Sequence, residues 1–207
     1  MRRLEVSKIV IYLMLFVFTL MVLVPLLNLL ALSLTDPGKA HLMGGLDIFP
    51  QGFSTINYQL LLSNPLITGS ILNSVWITVA GTFLNLLLTS MAAYVLARTE
   101  FIGKKVVLFF LIVIMVFEPG MIPEYLLVKD LGLMNTLTSL ILYKAINVYY
   151  LFILMRFIQD IPEEILEASR IDGAGHFRLY SRIILPLSKP GLATMGLFYG
   201  VYQWNEY

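Results

Sequence analysis

The sequence predicts an all-α membrane protein, a polytopic bundle of transmembrane helices. Hydrophobic residues make up 58% of the chain, charged residues only 13%, and the mean hydropathy is +0.84, whereas soluble domains carry about 25% charge. A formal net charge of +1 provides no basic field for nucleic acid. Cysteine is absent, and the histidines are limited to His41 and His176. We therefore expect no nucleic-acid partner, no metal site and no cofactor.

Apolar runs along the sequence are long enough to be membrane spans, because a bilayer core about 30 Å thick needs roughly 20 apolar helical residues. The first run exceeds the core of a signal peptide, which has about 7–15 residues, so we expect a retained helix. The last run stops in mid-pattern at Tyr207, so we expect the chain to be truncated at its C-terminus. The predicted spans are residues 9–34, 71–97, 106–128, 137–155 and 191–207.

Lysine and arginine set the expected orientation, since both are enriched in cytoplasmic loops. With the N-terminus inside, the basic residues of 2–8, of 98–105 and of 156–189 lie in the cytoplasm or at its interface. Only Lys39, Lys129 and Lys144 do not. The sequence therefore predicts a multi-pass protein whose N-terminus is cytoplasmic.

The polar segment 156–189 predicts two short helices joined at Gly173, where a left-handed turn costs glycine little. Asp160 is expected to cap the first helix, with Pro162 in its first turn. Pro186 and Pro190 are expected to end the second. Helical spacing predicts one apolar side formed by Ile161, Ile165, Ala168 and Ile171, and another formed by Phe177, Tyr180, Ile183 and Ile184.

Residues 167–186 of this segment read EASRIDGAGHFRLYSRIILP, a spacing of Glu-Ala-Ser, three residues, Gly, nine residues and Ile-x-Leu-Pro. The pattern resembles the cytoplasmic signature loop of the membrane subunits of binding-protein-dependent ABC importers; Ser169 replaces the usual Ala. The resemblance implies the type I ABC importer transmembrane fold and a loop, 156–189, that docks into a cleft on an ATPase subunit. The residues it assigns to ATPase coupling are Glu163, Glu164, Glu167, Ala168, Ser169, Asp172, Gly173, Ala174, Ile183, Leu185 and Pro186.

Other segments resemble carbohydrate-uptake permeases of the maltose and multiple-sugar type, and residues 170–194 resemble the branch associated with complex oligosaccharides. The resemblance implies a bacterial cytoplasmic membrane, a sugar as solute, ATPase subunits, a second homologous permease subunit and an extracytoplasmic solute-binding protein. These segments are the N-terminal Arg-Arg, DIFPQGFSTINYQLLLSNP, NSVWITV, YVLARTEFIGKK and the terminal WNEY.

Two alternatives remain open at this stage. The same transporter class could carry a non-sugar solute such as an amino acid, a peptide or an osmolyte; a channel or membrane scaffold would need no ATPase. An enzyme is disfavoured, because the sequence has neither a G-x-x-x-x-G-K-[ST] phosphate loop nor a recognisable catalytic set. ATP hydrolysis is therefore expected from a partner subunit.

Polar and aromatic residues in the last three runs are candidates for the solute pathway. Pro119 and Pro123 flank Gly120 and predict an interrupted helix, which membranes tolerate only against protein or a wet cavity; a helix that ends at the outer interface is the alternative. Tyrosines suit sugar rings but also mark interfaces. The candidate pathway residues are Glu118, Tyr143, Lys144, Asn147, Tyr150, Trp204 and Asn205.

Glu118 and Lys144 fall at similar depths on consecutive spans, about 10 Å below the outer boundary. An ionisable group at that depth is costly unless it is paired or faces a cavity, which predicts an ion pair between the two. The alternative is that Lys144 extends outward and Glu118 lies beyond the end of its helix.

Overall fold

A computed structural model describes residues 2–117 and 119–205, with side chains from Ser7 onward. Every regular element in these residues is helical, and an isolated β-bridge joins Thr35 to Phe53. The chain forms two compact units, Met1–Ile71 and Leu72–Tyr207.

The first unit is a long helix with a loop folded onto its end. Most apolar side chains of this helix are exposed, as expected of a helix that faces lipid. The Asn28 side-chain amide donates to the carbonyls of Gly44 at 2.8 Å and Asp47 at 2.7 Å, which fixes the loop to the helix. The elements are α1 (Arg2–Ser33), a 3₁₀ helix (Pro37–Leu42) and α2 (Ile56–Ser63).

Helix α3 (Pro65–Arg98) begins at the end of the first unit and continues through the second. Within the described residues, α3 and the Ser7–Ser33 part of α1 are the two helices that are, each alone, long and apolar enough to cross a membrane. A broken pair of helices after α3 adds a third crossing if it counts as one span.

That pair, α4 (Lys104–Val116) and α5 (Met121–Asp130), occupies the span expected over 106–128, and its two axes differ by 119°. Gly120 adopts a φ of +77° at the start of α5, a conformation that favours glycine. Pro123 lies in the first turn of α5, where its missing N–H removes no helical hydrogen bond. The interruption predicted from the proline and glycine pattern is confirmed.

The single helix expected over 137–155 is wrong, because the chain forms α6 (Leu137–Leu142) and α7 (Val148–Gln159). Lys144, between them, has a left-handed φ of +53°, which an L-residue rarely adopts. Asn147 then starts a new helix, since its Oδ1 accepts hydrogen bonds from the backbone N–H groups of residues 149 and 150 at 3.0 and 3.2 Å.

The polar segment forms helical elements that lead into the last helix. Pro186 and Pro190 do not end this helical run as expected. A π-helical turn precedes Pro186, and Pro190 lies in the first turn of the final helix, where no N–H is needed. The elements are α8 (Glu163–Ile171), α9 (His176–Leu179), the π turn (Tyr180–Ile184), α10 (Leu185–Leu187) and α11 (Lys189–Asn205).

The core of the second unit lies where α7, the polar segment and α11 pack together with the end of α3. Close approach is required at Gly191, where a Cβ would lie 2.8 Å from Cγ of Phe157. The largest fully buried apolar side chains are Leu151, Leu154, Ile158, Leu166, Leu179, Ile184, Met195 and Tyr199. The same core thus holds the polar segment against the membrane helices.

Candidate functional site

Residues 163–184 form a hairpin whose turn lies at Gly173: α8 is its first arm, and α9 with the following π turn is its second arm. Gly173 has the predicted left-handed conformation, with a φ of +75°. Its N–H donates to the carbonyl of Arg170 at 3.0 Å, and the Ala174 N–H donates to the carbonyl of Ser169 at 3.0 Å. These two bonds are the Schellman arrangement that satisfies the last carbonyls of a helix. The turn is therefore fixed by its own backbone.

The apolar side predicted for α8 is wrong. Leu166 is the fully buried residue of this helix, whereas Ile165 and Ile171 are exposed. The predicted helical spacing is counted from Ile161, but α8 begins only at Glu163, so Ile161 does not mark the buried side of this helix. In the second arm, Tyr180 and Ile184 are buried as predicted, but Phe177 is not. Ile171 and Phe177, on either side of the turn in sequence, are 86% and 81% exposed.

The capping role predicted for Asp160 is also wrong. Helix α7 runs to Gln159, so Asp160 closes its C-terminus: the Asp160 N–H donates to the carbonyls of Arg156 and Ile158. Helix α8 starts only at Glu163, without a side-chain cap.

The predicted coupling residues divide into an exposed set and an inward set. Ile183 and Leu185 form the inward set and pack against the core. Glu163 is exposed, although its carboxylate binds Arg98 at 2.7 Å and Arg170 at 3.2 Å. The other exposed residues are Glu164, Glu167, Ala168, Asp172, Gly173 and Pro186. Ser169 and Ala174 are half-buried.

Arg98, the last residue of α3, is a functional candidate that the sequence reasoning missed. Its guanidinium donates to the carbonyls of Ile158 (2.7 Å from Nη2 and 3.1 Å from Nε), Gln159 (3.2 Å) and Ile161. Nη1 also binds Glu163. From the sequence alone, Arg98 was only one of the basic residues that predict the orientation in the membrane. Its position at the end of a long apolar helix, before a polar turn, is the signal that could have identified it.

Two further hydrogen bonds join α3 to the segment after Gly173. Ser90 Oγ lies 2.7 Å from the Tyr180 hydroxyl, and the Tyr94 hydroxyl lies 3.0 Å from His176 Nδ1. The end of α3 thus holds the second arm of the hairpin through side chains, in addition to its contacts with the first arm through Arg98.

A cavity of about 440 Å³ lies beside the break between α6 and α7. Three predicted pathway residues, Tyr143, Lys144 and Asn147, line it together with Glu124 of α5. The Tyr143 hydroxyl donates to the Glu124 carboxylate, and Lys144 Nζ lies 3.4 Å from the other carboxylate oxygen. The site therefore combines a cation, an anion and an aromatic hydroxyl on a largely apolar wall.

The remaining pathway candidates lie elsewhere. Tyr150 and Asn205 line a separate groove with residues of α11, and Trp204 is exposed and lines neither space. Glu118, predicted to pair with Lys144, lies outside the described residues. The carboxylate that the structure places beside Lys144 is that of Glu124, which the sequence reasoning did not select.

No protein-family profile matches the chain. The polygalacturonan/rhamnogalacturonan transport system permease protein YtcP of Bacillus subtilis is 38% identical over 197 residues, which are 95% of this chain and 68% of that protein. Protein LplC of the same organism is 43% identical over 160 residues, 77% of this chain and 54% of that protein. The diacetylchitobiose uptake system permease protein NgcG of Streptomyces coelicolor is 31% identical over 198 residues, 94% and 65% of the two chains.

A solved structure is similar along almost the whole chain. A crystal structure of a bacterial ABC transporter involved in the import of the acidic polysaccharide alginate matches with a TM-score of 0.90 and 28% identity, over 97% of this chain and 71% of that one.

Proposed function

The chain belongs to the carbohydrate-uptake family of ABC transporter permeases, as its sequence resemblance predicted, and from this membership we propose a function. The protein is the membrane subunit of an ATP-driven importer that moves a sugar or oligosaccharide across the bacterial cytoplasmic membrane. ATP is hydrolysed by a separate subunit.

The hairpin of α8 and α9 is the observation that carries this proposal. Exposed apolar side chains as large as Ile171 and Phe177 are typical of a binding surface when they flank a polar turn. The base of the hairpin, in contrast, is packed into the core and held by Arg98. A hairpin with a fixed base and an exposed tip can transmit movement between a partner and the membrane helices. The partner that we propose is an ABC ATPase subunit.

The orientation follows from the same assignment. An ATPase works in the cytoplasm, so the hairpin, the turn at residues 98–105 and the N-terminus lie inside, in agreement with the distribution of basic residues. The cavity at Tyr143 and Lys144 then lies toward the outer side. There it receives the solute from an extracytoplasmic binding protein, with a second homologous permease subunit completing the pathway.

The cavity has the chemistry that a saccharide requires. Sugar hydroxyls bind both carboxylates and ammonium groups, and the apolar faces of sugar rings pack on aromatic rings. Lys144 and Glu124 provide the charged groups and Tyr143 the ring. Entry of a sugar would exchange contacts within this cluster for contacts with the solute, so the two states differ in their interactions, as alternating access requires.

The test of the ATPase assignment uses two glycines in the same backbone conformation. Gly173 and Gly132 have φ values of +75° and +69°, and a Cβ at either would meet open space. Gly173→Trp and Gly132→Trp therefore impose similar strain, one at the hairpin tip and one at the turn after α5. Each variant is purified with and without the ATPase subunit.

We expect both variants to insert into the membrane and only Gly173→Trp to lose the ATPase. Equal retention of the ATPase by both variants would remove the hairpin tip from the contact. A wild-type protein that transports its solute without an ATPase would support a channel instead.

A further inference from the structure

We propose that Arg98 is a positioning residue that couples the hairpin to α3, so that movement imposed by the ATPase reaches the membrane helices through its guanidinium. The inference rests on the proposed function, and it identifies the contact that connects the ATPase-binding hairpin to the membrane helices.

The geometry of Arg98 is that of a joint between three segments. It belongs to α3, its bonds to Ile158 and Gln159 hold the C-terminal end of α7, and its bonds to Ile161 and Glu163 hold the start of the hairpin. The Arg98 side chain is only 10% exposed, and its bonds to Ile158 and Ile161 are partly buried, whereas those to Gln159 and Glu163 face solvent. A rotation of the hairpin relative to α7 would have to break these hydrogen bonds or move Arg98, and with it the end of α3.

The cluster requires arginine. The last carbonyls of α7 lack a full set of helical N–H partners and carry the negative end of the helix dipole, which favours a cation there. A guanidinium presents five N–H donors in a fixed plane and reaches several acceptors at once. A lysine ammonium retains the charge but is a single point on a flexible stem, so it would not fix the angle between the segments.

Two hydrogen bonds from residues that precede Arg98 in α3 attach the second arm of the hairpin to the same helix. Tyr94 and Ser90, on the same helix, bind His176 and Tyr180 in the second arm of the hairpin. Both arms are therefore tied to α3, the first by Arg98 and the second by these hydroxyls. Loss of Arg98 should leave the hairpin attached and able to dock while its first arm moves independently of α3.

The experiment compares Arg98→Lys with Arg156→Lys in the complete transporter, with its ATPase, second permease and binding protein, in proteoliposomes. Arg156 lies in the last turn of α7 and forms an exposed ion pair with Asp160 at 3.4 Å, so the same substitution there keeps the charge and disturbs no cluster. The measurements are ATPase content, basal ATP hydrolysis, and the stimulation of hydrolysis and uptake by solute-loaded binding protein.

For Arg98→Lys we expect normal ATPase content and basal hydrolysis, but stimulation and uptake reduced by about five- to tenfold, the scale of a typical coupling between sites. Arg156→Lys should behave as wild type. These 207 residues contain no cysteine, so with any cysteines of the other subunits replaced, a nitroxide on Ile165→Cys, an exposed position in α8 outside the predicted coupling residues, reports the first arm of the hairpin. In the assembled transporter this label should become more mobile with Arg98→Lys.

Three results would overturn the inference. If Arg98→Lys matches Arg156→Lys in stimulation and in label mobility, Arg98 is not the joint. If Arg98→Lys loses the ATPase or fails to accumulate, its role is docking or folding. If even the wild-type transporter shows no stimulation by binding protein, the proposed function itself fails, and this result is distinguishable from the other two.

Discussion

Tyr199 of α11 is the residue whose removal should most directly test the polar packing inside the bundle. Its side chain is fully buried. The hydroxyl lies 2.7 Å from Thr89 Oγ1 of α3 and accepts a hydrogen bond from the Asn147 N–H at 3.0 Å. One hydroxyl thus joins α3, α11 and the break before α7. Tyr199→Phe deletes this atom and keeps the ring, which packs edge-on against Tyr150.

The expected cost follows from the two bonds that are lost. A buried donor left without a partner costs about 1–3 kcal/mol, whereas hydrogen bonds between membrane helices average about 0.6 kcal/mol with a maximum near 1.7. The part-buried N–H of Asn147 loses its acceptor, and the Thr89 hydroxyl must find another partner. We expect Tyr199→Phe to lower the free energy of unfolding by about 1–3 kcal/mol.

The assay is thermal unfolding in detergent, where a loss of this size corresponds to a decrease of about 2–12 °C in Tm. Tyr149→Phe is the matched control, because Tyr149 is exposed and neighbours the same break; it should change stability by less than about 0.5 kcal/mol. Thr89→Val and the double variant complete a cycle whose coupling energy should be about 0.5–1.7 kcal/mol.

Equal Tm values for Tyr199→Phe and Tyr149→Phe would refute the reasoning, because they would show that the buried hydroxyl contributes nothing. A coupling energy of zero in the cycle would show that Thr89 and Tyr199 act independently, whatever the single variants do.

Two further predictions concern charged residues. Lys144→Ala should lower Tm more than the double change with Glu124→Ala does, because removing both partners leaves no unpaired charge; strictly additive changes in Tm would show that the pair is not coupled. Glu167→Arg should weaken binding of the ATPase by about 0.5–1 kcal/mol at low salt and less at high salt, and unchanged binding at both salt concentrations would mean that Glu167 only faces water.

The features that the sequence predicted correctly depend on local chemistry. Gly173 could be placed in a left-handed turn because glycine between two amphipathic stretches has few other uses. The interruption after α4 followed from the prolines and the glycine at residues 119–123. The long apolar runs of α1 and α3 need no tertiary information, since their length and composition alone identify them.

The features that it missed depend on contacts between distant segments. Asp160 matches a helix start locally, but α7 extends to Gln159 and Arg98, some 60 residues earlier in the chain, binds its last carbonyls. Leu166, and not Ile165, is buried because the hairpin packs on residues that no local pattern contains. The break at Lys144 interrupts a run whose apolar composition alone predicts one helix.

Helix α7 connects the two sites. Its first turn is fixed by Asn147 and Tyr199 at the cavity, and its last carbonyls are fixed by Arg98 at the hairpin. The helix has 12 residues, so the two anchors are about 18 Å apart along its axis. A short, unbroken helix is a rigid element through which the proposed movement of the hairpin can reach the cavity. Because of the break at Lys144, α7 begins at the cavity with this anchored first turn, whereas a continuous transmembrane helix would have no helix end there.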